Sequence, residues 1–366
     1  MADTTFTILG TTGSGKTCYL LGMYYEMCAG KEGYTLTTDD DRDVRLQRLY
    51  DRLSDKSLGA DRFPAGTDNM SEYEFNLEYG YEPIMSFKWT DYAGNALRLK
   101  NAVKYFADLK KFISSSSSLF ICLDGSLLMG NDTRKKIRDV STKCSRDINK
   151  FFSDYKKDNG MLPPTAVLIT KYDKCKNDTT PEEIEEIVRQ SFSAFFEKDI
   201  VESTSKKILS IIPVSIGLNI DDTDYSGNLE PINIHLPIFF GIYFALNEKI
   251  DALLNTKEKT NNIASLKEEI ASLTRDISQK EKECDNEKSS FFLWRNDKKI
   301  DALEREINLS KKIQKEKSNE KDENYRLLNY INAQLAVSNE YITRLRKELK
   351  KIPLVFIDGE KRENFF

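Results

Sequence analysis

The chain has 366 residues, of which 39% are hydrophobic and 31% charged, and its formal net charge is −4. This weakly acidic balance leaves no basic footprint for a nucleic acid, so we predict no nucleic-acid partner. Six cysteines are scattered without a Cys-x-x-Cys pair and there is one histidine, which argues against a disulfide framework or a structural zinc site and favours a reducing compartment.

No signal peptide is expected, because the short N-terminal segment leads directly into the first predicted strand. The most apolar stretch, Leu236 to Leu246, is too short to span a bilayer, which takes about 20 residues. We interpret this stretch as a helix packed on a sheet, and we expect a cytoplasmic protein.

Strand-like and helix-like segments alternate through the first 255 residues. Strands are predicted over 4–9, 71–80, 84–91, 118–124, 165–170 and 208–215, and helices over 16–29, 95–112, 134–157, 181–199 and from 232 onward. Repeated alternation is typical of an α/β domain with a mostly parallel sheet and helices on both faces. In such a domain the ligand site lies beyond the carboxyl ends of the strands.

The first loop, Gly10 to Thr17, reads Gly-Thr-Thr-Gly-Ser-Gly-Lys-Thr and lies between a predicted strand and a predicted helix. This is the complete pattern of a phosphate-binding loop in the context it requires. Its glycines free backbone N–H groups to turn inward around a phosphate at a helix N-terminus. Lys16 is expected to contact the β- and γ-phosphates, and the Thr17 hydroxyl to ligate Mg²⁺. The predicted nucleotide contacts of this loop are Gly13, Ser14, Gly15, Lys16, Thr17 and Cys18.

Residues 31–70 form an insertion after the first helix. It carries an acidic cluster, Asp39 to Asp41, and a helix is predicted over Val44 to Leu53. Its composition fits a solvated segment and also a partner surface close to the nucleotide, and both interpretations stay open.

The segment 71–80 differs from the other predicted strands, because large apolar residues alternate in it with polar ones. Such alternation indicates a strand with one exposed face. We therefore predict an edge strand that pairs antiparallel with the segment 84–91.

The strand predicted over 84–91 ends in a carboxylate, Asp91. Asp91 can hold Mg²⁺ there, usually through water. Gly94, three residues later, lets a backbone N–H approach the γ-phosphate. The Asp-x-x-Gly pattern alone is common in surface turns. It is the strand before it and the phosphate-binding loop upstream that favour a nucleotide function.

The apolar run from Thr165 to Thr170 is typical of a strand buried on both faces, and it ends in Lys171-Tyr172-Asp173. A carboxylate at this place can accept two hydrogen bonds from N1 and the 2-amino group of guanine, a donor pair that adenine lacks. The stem of Lys171 can lie flat on the purine ring. This segment therefore predicts guanine as the base.

The strand predicted over 208–215 ends in a small polar loop. Backbone N–H groups at Ser215 and Ile216 can reach the guanine oxygen from there. We include both residues among the predicted nucleotide contacts, together with Thr170, Lys171 and Asp173.

Taken together, these segments resemble the guanine-nucleotide boxes of the Ras-like, translation-factor-related class of P-loop GTPases. The matching positions are Gly10–Thr17, Thr67, Asp91–Gly94, Thr170–Asp173 and Ser215. The segment Phe63 to Thr67 is also similar to the switch segment of GTPase domains found in bacterial conflict-system loci. The resemblance covers roughly residues 4–250 and implies GTP or GDP as the bound nucleotide, with Mg²⁺ as cofactor. It further implies that Thr67 contacts Mg²⁺ and the γ-phosphate in the triphosphate state and moves away after hydrolysis.

Some positions depart from the family pattern. Thr170 stands where the family usually has Asn, and Ser215-Ile216-Gly217 replaces Ser-Ala-Lys. Asn95 follows Gly94 where many relatives carry Gln to orient the attacking water. Because Asn is one methylene shorter, we expect slow GTP hydrolysis. Arg62 can supply a cation to the transition state, but a solvent-facing arginine is the preferred interpretation. The predicted catalytic residues are Lys16, Thr67, Gly94 and Asn95, and the predicted metal ligands are Thr17, Thr67 and Asp91.

Beyond residue 255 the composition changes, because Lys, Glu, Asn and Ser dominate and Pro and Gly are absent until the end. Apolar residues keep a 4–3 spacing on two stretches, Leu266, Ile270, Leu273, Ile277 and Cys284 on the first and Leu328, Ile331, Leu335, Ile342, Leu345 and Leu349 on the second. The predicted helices, 232–288 and 298–350, have nearly equal lengths on either side of a break near 289–297. This arrangement predicts an antiparallel coiled-coil hairpin over residues 256–351.

The break carries an apolar cluster, Phe291 to Trp294, at the end of a polar stalk. Exposed apolar clusters usually mark contacts, so we predict a protein partner or self-association through the coiled coil and this tip. A structural cap of the hairpin and, because Lys and Arg flank the cluster, a membrane contact are the alternatives. The tail, 352–366, includes a strand-like run and is predicted to dock on the GTPase domain of residues 1–255.

Three functions fit these features. The leading interpretation is a GTP-binding, slowly hydrolysing switch that signals through its coiled coil to a partner macromolecule. The second is a scaffold or self-assembly protein whose nucleotide stabilises the fold. The third is a dynamin-like GTPase whose stalk tip contacts a membrane.

Overall fold

The computed structural model describes residues 4–65, 70–92, 103–159, 162–197, 206–218, 220, 225–289 and 296–366. It comprises two compact units, one made of Met1–Ala245 with Arg344–Phe366 and the other of Leu246–Thr343. The first unit is an α/β domain and the second is helical.

The strands of the first unit are β1 (Thr4–Gly10), β2 (Tyr34–Thr37), β3 (Ser71–Tyr79), β4 (Glu82–Asp91), β5 (Ser118–Asp124), β6 (Thr165–Thr170), β7 (Ile208–Pro213), β8 (Leu354–Ile357) and β9 (Glu360–Lys361). Within the described residues they form a nine-stranded sheet in the order β2-β3-β4-β1-β5-β6-β7-β8-β9. Strands β4, β1, β5, β6 and β7 pair in parallel, while β2, β3, β8 and β9 add antiparallel pairs at the two sides. The predicted α/β class with a mostly parallel sheet is thus confirmed for the centre of the sheet.

The α-helices are α1 (Lys16–Cys28), α2 (Asp40–Ser54), α3 (Val103–Ser114), α4 (Thr133–Val140), α5 (Arg146–Asn159), α6 (Tyr172–Cys175), α7 (Pro181–Ser191), α8 (Ser193–Phe196), α9 (Leu236–Thr260), α10 (Ile263–Ser289) and α11 (Asp297–Leu349). A π-helical stretch, Ser141–Ser145, joins α4 to α5, so the helix predicted over 134–157 is present with an irregular middle.

The central strands are buried along nearly their whole length. Burial extends over residues 5–10 of β1, all of β6, and all but the last residue of β5. Their continuous apolar runs suit strands that are covered on both faces. The carboxyl ends of β1, β4, β5, β6 and β7 consequently meet along one side of the sheet.

Strand β3 alternates as predicted, with Tyr73, Phe75 and Leu77 buried, and it pairs antiparallel with β4. The prediction that it is an edge strand is wrong, however, because β2 pairs with its other side, with Tyr34 opposite Tyr79. Four residues are too few to give a readable period of two inside a polar insertion.

The insertion between α1 and β3 is ordered by its caps. The side chain of Asp39 accepts a hydrogen bond of 3.0 Å from the Arg42 backbone N–H, so α2 begins at Asp40 instead of the predicted Val44. A 3₁₀ segment, Lys56–Arg62, follows α2 and contains a kink at Gly59, where φ is 55°. It leads the chain into Phe63.

The C-terminal segment completes the sheet beside β7. Strand β8 pairs antiparallel with β7, with Ser210 opposite Val355, and Leu354, Val355 and Phe356 are buried. The ring of Phe356 lies 5.1 Å from that of Phe196 in an edge-to-face arrangement, which fixes this strand over α8.

In the helical unit, α10 and α11 run antiparallel. Residue numbers fall on α11 as they rise on α10 in the cross-helix ion pairs Glu269–Lys317, Glu281–Lys311 (2.7 Å) and Lys288–Glu304 (2.7 Å). Beneath these charges Ile277 and Cys284 pack with residues of α11. The single helix predicted over 232–288 is wrong, because it begins at Leu236 and is interrupted at Asn261-Asn262. The predicted tip, Phe291 to Trp294, lies outside the described residues.

Candidate functional site

The loop between β1 and α1 is shaped by glycines. Gly13 and Gly15 have φ of 81° and 85°, in the left-handed region that side chains disfavour, and Gly15 is the residue that precedes α1. A Cβ on Gly10 would lie 2.6 Å from the Ser14 Oγ and 3.0 Å from the Cys122 carbonyl oxygen, so a side chain at this position would force its neighbours to shift. The sequence of the loop therefore dictates a turn that places backbone N–H groups at the N-terminus of α1.

Lys16 begins α1 and folds back over the loop. Its side chain is buried, and its Nζ donates hydrogen bonds to the carbonyl oxygens of Gly10 (2.9 Å) and Thr11 (3.3 Å). Beneath the loop, burial raises the pKa of the Cys122 thiol far above its usual value, so this side chain is neutral. Lys16 thus brings a positive charge to the loop without a thiolate below it.

The Thr17 hydroxyl lies 3.3 Å from Oδ2 of Asp91, which is buried at the end of β4. Parallel pairing of β1 with β4 produces this proximity, since Ile8 is opposite Asp91. A hydroxyl and a carboxylate oxygen are the oxygen ligands that Mg²⁺ prefers, so two of the three predicted metal ligands come together. The third, Thr67, lies outside the described residues, as do the predicted catalytic residues Gly94 and Asn95.

Strand β6 joins the phosphate-binding loop to the predicted base side. The Thr170 hydroxyl lies 2.7 Å from the carbonyl oxygen of Ser14 and 3.0 Å from that of Leu123. The next residue, Lys171, adopts a left-handed backbone (φ 49°), and its Nζ lies 2.9 Å from Oδ2 of Asp124. Thr170 can therefore connect the phosphate-binding loop to the sheet through its hydroxyl.

Asp173 lies in the short helix α6 and is only 9% exposed. The Ser215 hydroxyl donates a hydrogen bond of 2.5 Å to its Oδ1, and the same Ser215 oxygen accepts one of 3.2 Å from the Gly217 N–H. Ser215 reaches Asp173 because β6 and β7 are adjacent and parallel, so their C-terminal loops emerge side by side. A buried carboxylate held in this way presents acceptors in a fixed direction.

These elements surround one cavity of about 390 Å³. Among the predicted nucleotide contacts, the cavity is lined by Gly13, Gly15, Lys16, Thr17, Cys18, Thr170, Lys171, Asp173, Ser215 and Ile216. Ser14 is buried beside it, and its Oγ has no hydrogen-bond partner among the described residues. The phosphate-binding loop and the predicted base side therefore border the same space.

Further lining residues were not predicted from the sequence as contacts. They are Thr12, Tyr19, Ala60, Phe63, Pro64, Ala65, Val214, Ile220, Tyr225 and Ile234. Phe63, Pro64 and Ala65 belong to the segment that resembles a GTPase switch and that ends at Thr67, so that resemblance is a reason to expect them near the nucleotide. Tyr225 carries no local signal, because it belongs to no periodic segment and to no motif.

Arg62 does not face solvent, so the preferred interpretation from the sequence is wrong. Its side chain is 1% exposed, its Nε donates a 2.6 Å hydrogen bond to the Leu53 carbonyl, and its Nη1 donates a 3.0 Å hydrogen bond to the Tyr225 carbonyl. It does not line the cavity. The fork of donors on a guanidinium suits such multiple carbonyl contacts.

No protein-family model matches the chain, and no curated protein matches it. Among the described residues, no helix combines the length and apolarity that crossing a bilayer demands. That part of the chain also holds no cluster of three His, Cys, Asp or Glu side chains arranged around a metal ion. A nucleotide-associated Mg²⁺ needs no such cluster, since it usually keeps several waters and takes only one or two protein ligands besides phosphate.

Proposed function

We propose that this protein is a GTP-binding, slowly hydrolysing molecular switch with a P-loop GTPase fold. The observation that carries the proposal is the shared cavity, which is bordered by the glycine loop with Lys16 at one part and by Asp173 with Ser215 at another. A cavity that combines a helix N-terminus, a lysine and an oriented carboxylate suits a ligand with both a polyphosphate and a hydrogen-bonding base.

At the phosphate part, the backbone N–H groups of Gly13 to Thr17 would bind the phosphate oxygens. Lys16 would exchange its two carbonyl contacts for phosphate oxygens, since an ammonium bonds more strongly to an anion than to a neutral carbonyl. The close pair of Thr17 and Asp91 supports a Mg²⁺ ion at this end, held by Thr17 directly and by Asp91 directly or through water. When bound, the ion would neutralise charge on the transferred phosphoryl group.

At the base part, the carboxylate of Asp173 would accept hydrogen bonds from N1 and the 2-amino group of guanine. Adenine has no donors in these positions, so the acceptor positions of this buried carboxylate that would face the base would stay unused, at a cost of several kcal/mol. This difference supports GTP over ATP as the ligand.

Phosphoryl transfer to water needs a group that orients the water, and Asn95 is the residue that the sequence offers for this role. Its short side chain supports a slow intrinsic rate. A slow rate would leave the triphosphate state in place long enough to act on a partner macromolecule through the helical unit.

The binding test uses nucleotide-stripped protein in calorimetric titrations with GTP, GDP and ATP in the presence of Mg²⁺. We expect binding of GTP and GDP, none of ATP, and loss of binding in Lys16→Ala. The matched control is Lys143→Ala, which removes an exposed lysine that pairs with Asp139 on the surface of the same unit. Absence of heat with both guanine nucleotides for the wild-type protein would refute the proposal.

A second candidate function, self-association as a nucleotide-stabilised scaffold, has support from one surface. On α11 the side chains of Leu327, Tyr330 and Val337 are 40%, 53% and 47% exposed and lie at spacings that share one helix face. An exposed apolar row of this kind suits a second helix. Mass measurements of the wild type and of Tyr330→Glu, each with GDP and with a non-hydrolysable GTP analogue, test it. A monomeric wild type in both states would exclude it.

The dynamin-like alternative depends on Phe291 to Trp294 and stays a prediction. Flotation of the protein with anionic liposomes, compared with that of Trp294→Ser, addresses it directly.

A further inference from the structure

One side of the cavity is made by two chain segments that are far apart in the sequence. Residues 60–65 follow α2 within the insertion between α1 and β3, and residues 225–228 precede α9. Phe63 and Tyr225 both line the cavity, and their rings lie 6.3 Å apart. We call these two segments together the aromatic wall.

Arg62 joins the two segments of the aromatic wall. Its Nη1 donates to the carbonyl oxygens of Tyr225 (3.0 Å) and Gly227 (3.5 Å), while its Nε donates to the Leu53 carbonyl at the end of α2 (2.6 Å). Its guanidinium carbon also lies 5.9 Å from the centre of the Phe63 ring. A second, exposed link connects Lys56 Nζ to Asn228 Oδ1 at 2.6 Å.

Arg62 is unusually buried for an arginine without a close ion pair. It is 1% exposed, it forms no ion pair within the described part of the chain, and its Nη2 has no hydrogen-bond partner there. Together with hydrogen bonds from Ser57, the charge of Arg62 lowers the pKa of Asp55, but the two side chains form no close ion pair. Burial of a cation without a close ion pair is unfavourable, so hydrophobic packing alone would be better served by an apolar side chain. What Arg62 contributes instead is positioning. Its planar guanidinium donates hydrogen bonds in fixed directions and so holds carbonyl groups from separate segments at set positions.

The position of the wall matters for a purine. A base needs hydrogen-bonding partners at its edge and apolar surface along its ring. Asp173 provides the edge acceptors, and Phe63 and Tyr225 add aromatic surface to the same cavity. Neither ring belongs to a regular helix or strand. The position of each ring therefore depends on the contacts that hold its own segment in place.

We propose that Arg62 is a positioning residue that holds the aromatic wall against a bound purine and thereby sets the residence time of the nucleotide. This inference rests on the proposed function. It assigns retention of the purine ring to the wall, recognition of the guanine edge to Asp173, and binding of the phosphates to the glycine loop.

The test compares three variants with the wild type. Arg62→Met removes the fork but keeps an unbranched side chain of similar length, and Arg62→Lys restores a charge with fewer fixed donors. Arg52→Met is the matched control, since Arg52 donates a 2.9 Å hydrogen bond to the Asp61 carbonyl within the insertion and has no hydrogen bond to the described residues 225–228. Melting temperatures of all variants are measured first.

Three ligands distinguish the contributions of the different parts of the site. They are GDP, inorganic tripolyphosphate without a base, and inosine diphosphate, which lacks the 2-amino group. Arg62→Met is expected to release GDP and inosine diphosphate faster by a similar factor of roughly 10 to 100, as for the loss of hydrogen bonds from a charged donor. Its affinity for tripolyphosphate is expected to stay within about twofold of the wild type, because the glycine loop is untouched. Arg62→Lys falls between, and Arg52→Met matches the wild type.

A substitution of Asp173 serves as a reference, because it is expected to affect GDP and inosine diphosphate unequally, whereas Arg62→Met is expected to affect them equally. Asp173→Asn is expected to weaken GDP more than inosine diphosphate, because only GDP carries the 2-amino donor. If Arg62→Met is unfolded at the assay temperature, Tyr225→Ala replaces it, since this variant keeps the main-chain acceptor and removes the ring. Faster release of GDP and of inosine diphosphate is again the expected result.

The inference is overturned if the folded variant releases GDP at the wild-type rate. It is also overturned if tripolyphosphate loses as much affinity as GDP, because the effect would then be a general loss of structure. A wild-type protein that binds no guanine nucleotide overturns the proposed function itself, which is a different outcome.

Discussion

The Ser215 hydroxyl and the Asp173 carboxylate are 2.5 Å apart, and this hydrogen bond joins the loop after β7 to the first turn after β6. Both side chains are at least nine-tenths buried, so solvent does not compete strongly with the contact. In the sequence Ser215 was predicted to contact the nucleotide through its backbone. Its side chain has a separate role, which is to orient the carboxylate.

Ser215→Ala is expected to lower the affinity for GDP by roughly five- to tenfold, because about 1 kcal/mol of orientation of Asp173 is lost. Isothermal titration with GDP measures this. The matched control is Ser210→Ala on β7, the strand that precedes the Ser215 loop; its hydroxyl donates to the Leu354 carbonyl, and Ser210 does not line the cavity. Equal affinities for the wild type and Ser215→Ala would contradict the positioning role.

Asp173→Asn is expected to change the preferred base. An amide offers one acceptor and one donor group, so guanine loses a hydrogen bond and meets a like donor, at a cost of roughly 100-fold in affinity. Xanthine has a carbonyl at the 2-position and is expected to gain from the new donor. Competition of GDP and xanthosine diphosphate for the site measures the change. Asp139→Asn, on the surface of α4, is the control, and an unchanged preference would remove Asp173 from the base site.

Asp91→Asn is expected to raise the Mg²⁺ concentration needed for tight GTP binding by about tenfold or more, since a neutral amide attracts a divalent cation less than a carboxylate does. Titration of Mg²⁺ at fixed GTP measures it. Glu72→Gln is the control, because Glu72 is exposed on β3 directly opposite Thr90 of the neighbouring strand. If both variants require the same Mg²⁺ concentration, Asp91 does not hold the ion.

His235 is expected to make the fold sensitive to mild acid. Burial lowers its pKa to about 4, with further lowering from Lys31 and Lys351, while Glu348, whose Oε2 is 3.6 Å from Nε2, acts in the opposite direction. The pKa in the unfolded chain is about 6.5, so the unfolded state takes up the proton first as the pH falls. The stability from neutral His235 is complete above pH 6.5 and is lost between about pH 6.5 and 4.

The comparison for this prediction is His235→Gln, which cannot titrate. Between pH 7 and pH 5 the wild type is expected to lose about 2 kcal/mol more of its unfolding free energy than the variant does. Urea unfolding at both pH values measures the difference. Identical losses in the two proteins would show that His235 is not the group responsible.

Phe356→Ala is expected to lower the unfolding free energy by roughly 3 kcal/mol or more, because the ring is 1% exposed and packs on Phe196. Phe365→Ala is the control, since this residue is in the same C-terminal segment but is only partly buried. Thermal unfolding measures both. A smaller effect at 356 than at 365 would indicate that the pairing of β8 with β7 contributes little.

The sequence predicts those parts of the molecule that depend on local chemistry. Glycine permits the left-handed backbone that the first loop needs at Gly13 and Gly15, and Asp91 and Asp173 stand at or just beyond the ends of strands whose apolar runs are long enough to recognise. Their convergence follows because parallel strands end on the same side of a sheet. These features can therefore be predicted from the sequence.

The features that escaped prediction depend on contacts between distant segments. Strand β2 has four residues and is a strand only because β3 lies beside it. Arg62 looks like a surface residue, yet three carbonyl groups from two remote segments surround it. Tyr225 enters the cavity through that same contact. No local periodicity encodes such positions, since their burial is decided by tertiary packing.

The helical residues Leu246–Thr343 are inserted between two parts of the same α/β unit, because the chain returns to that unit at Arg344 and adds β8 to the sheet. A protease that cuts within the helices would thus leave residues 344–366 attached to the rest of the α/β unit by non-covalent contacts alone. The two fragments should co-elute after cleavage in native buffer and separate only in denaturant. For the same reason, the helices can be replaced by a short linker without opening the sheet, which would yield a compact fragment for nucleotide-binding measurements.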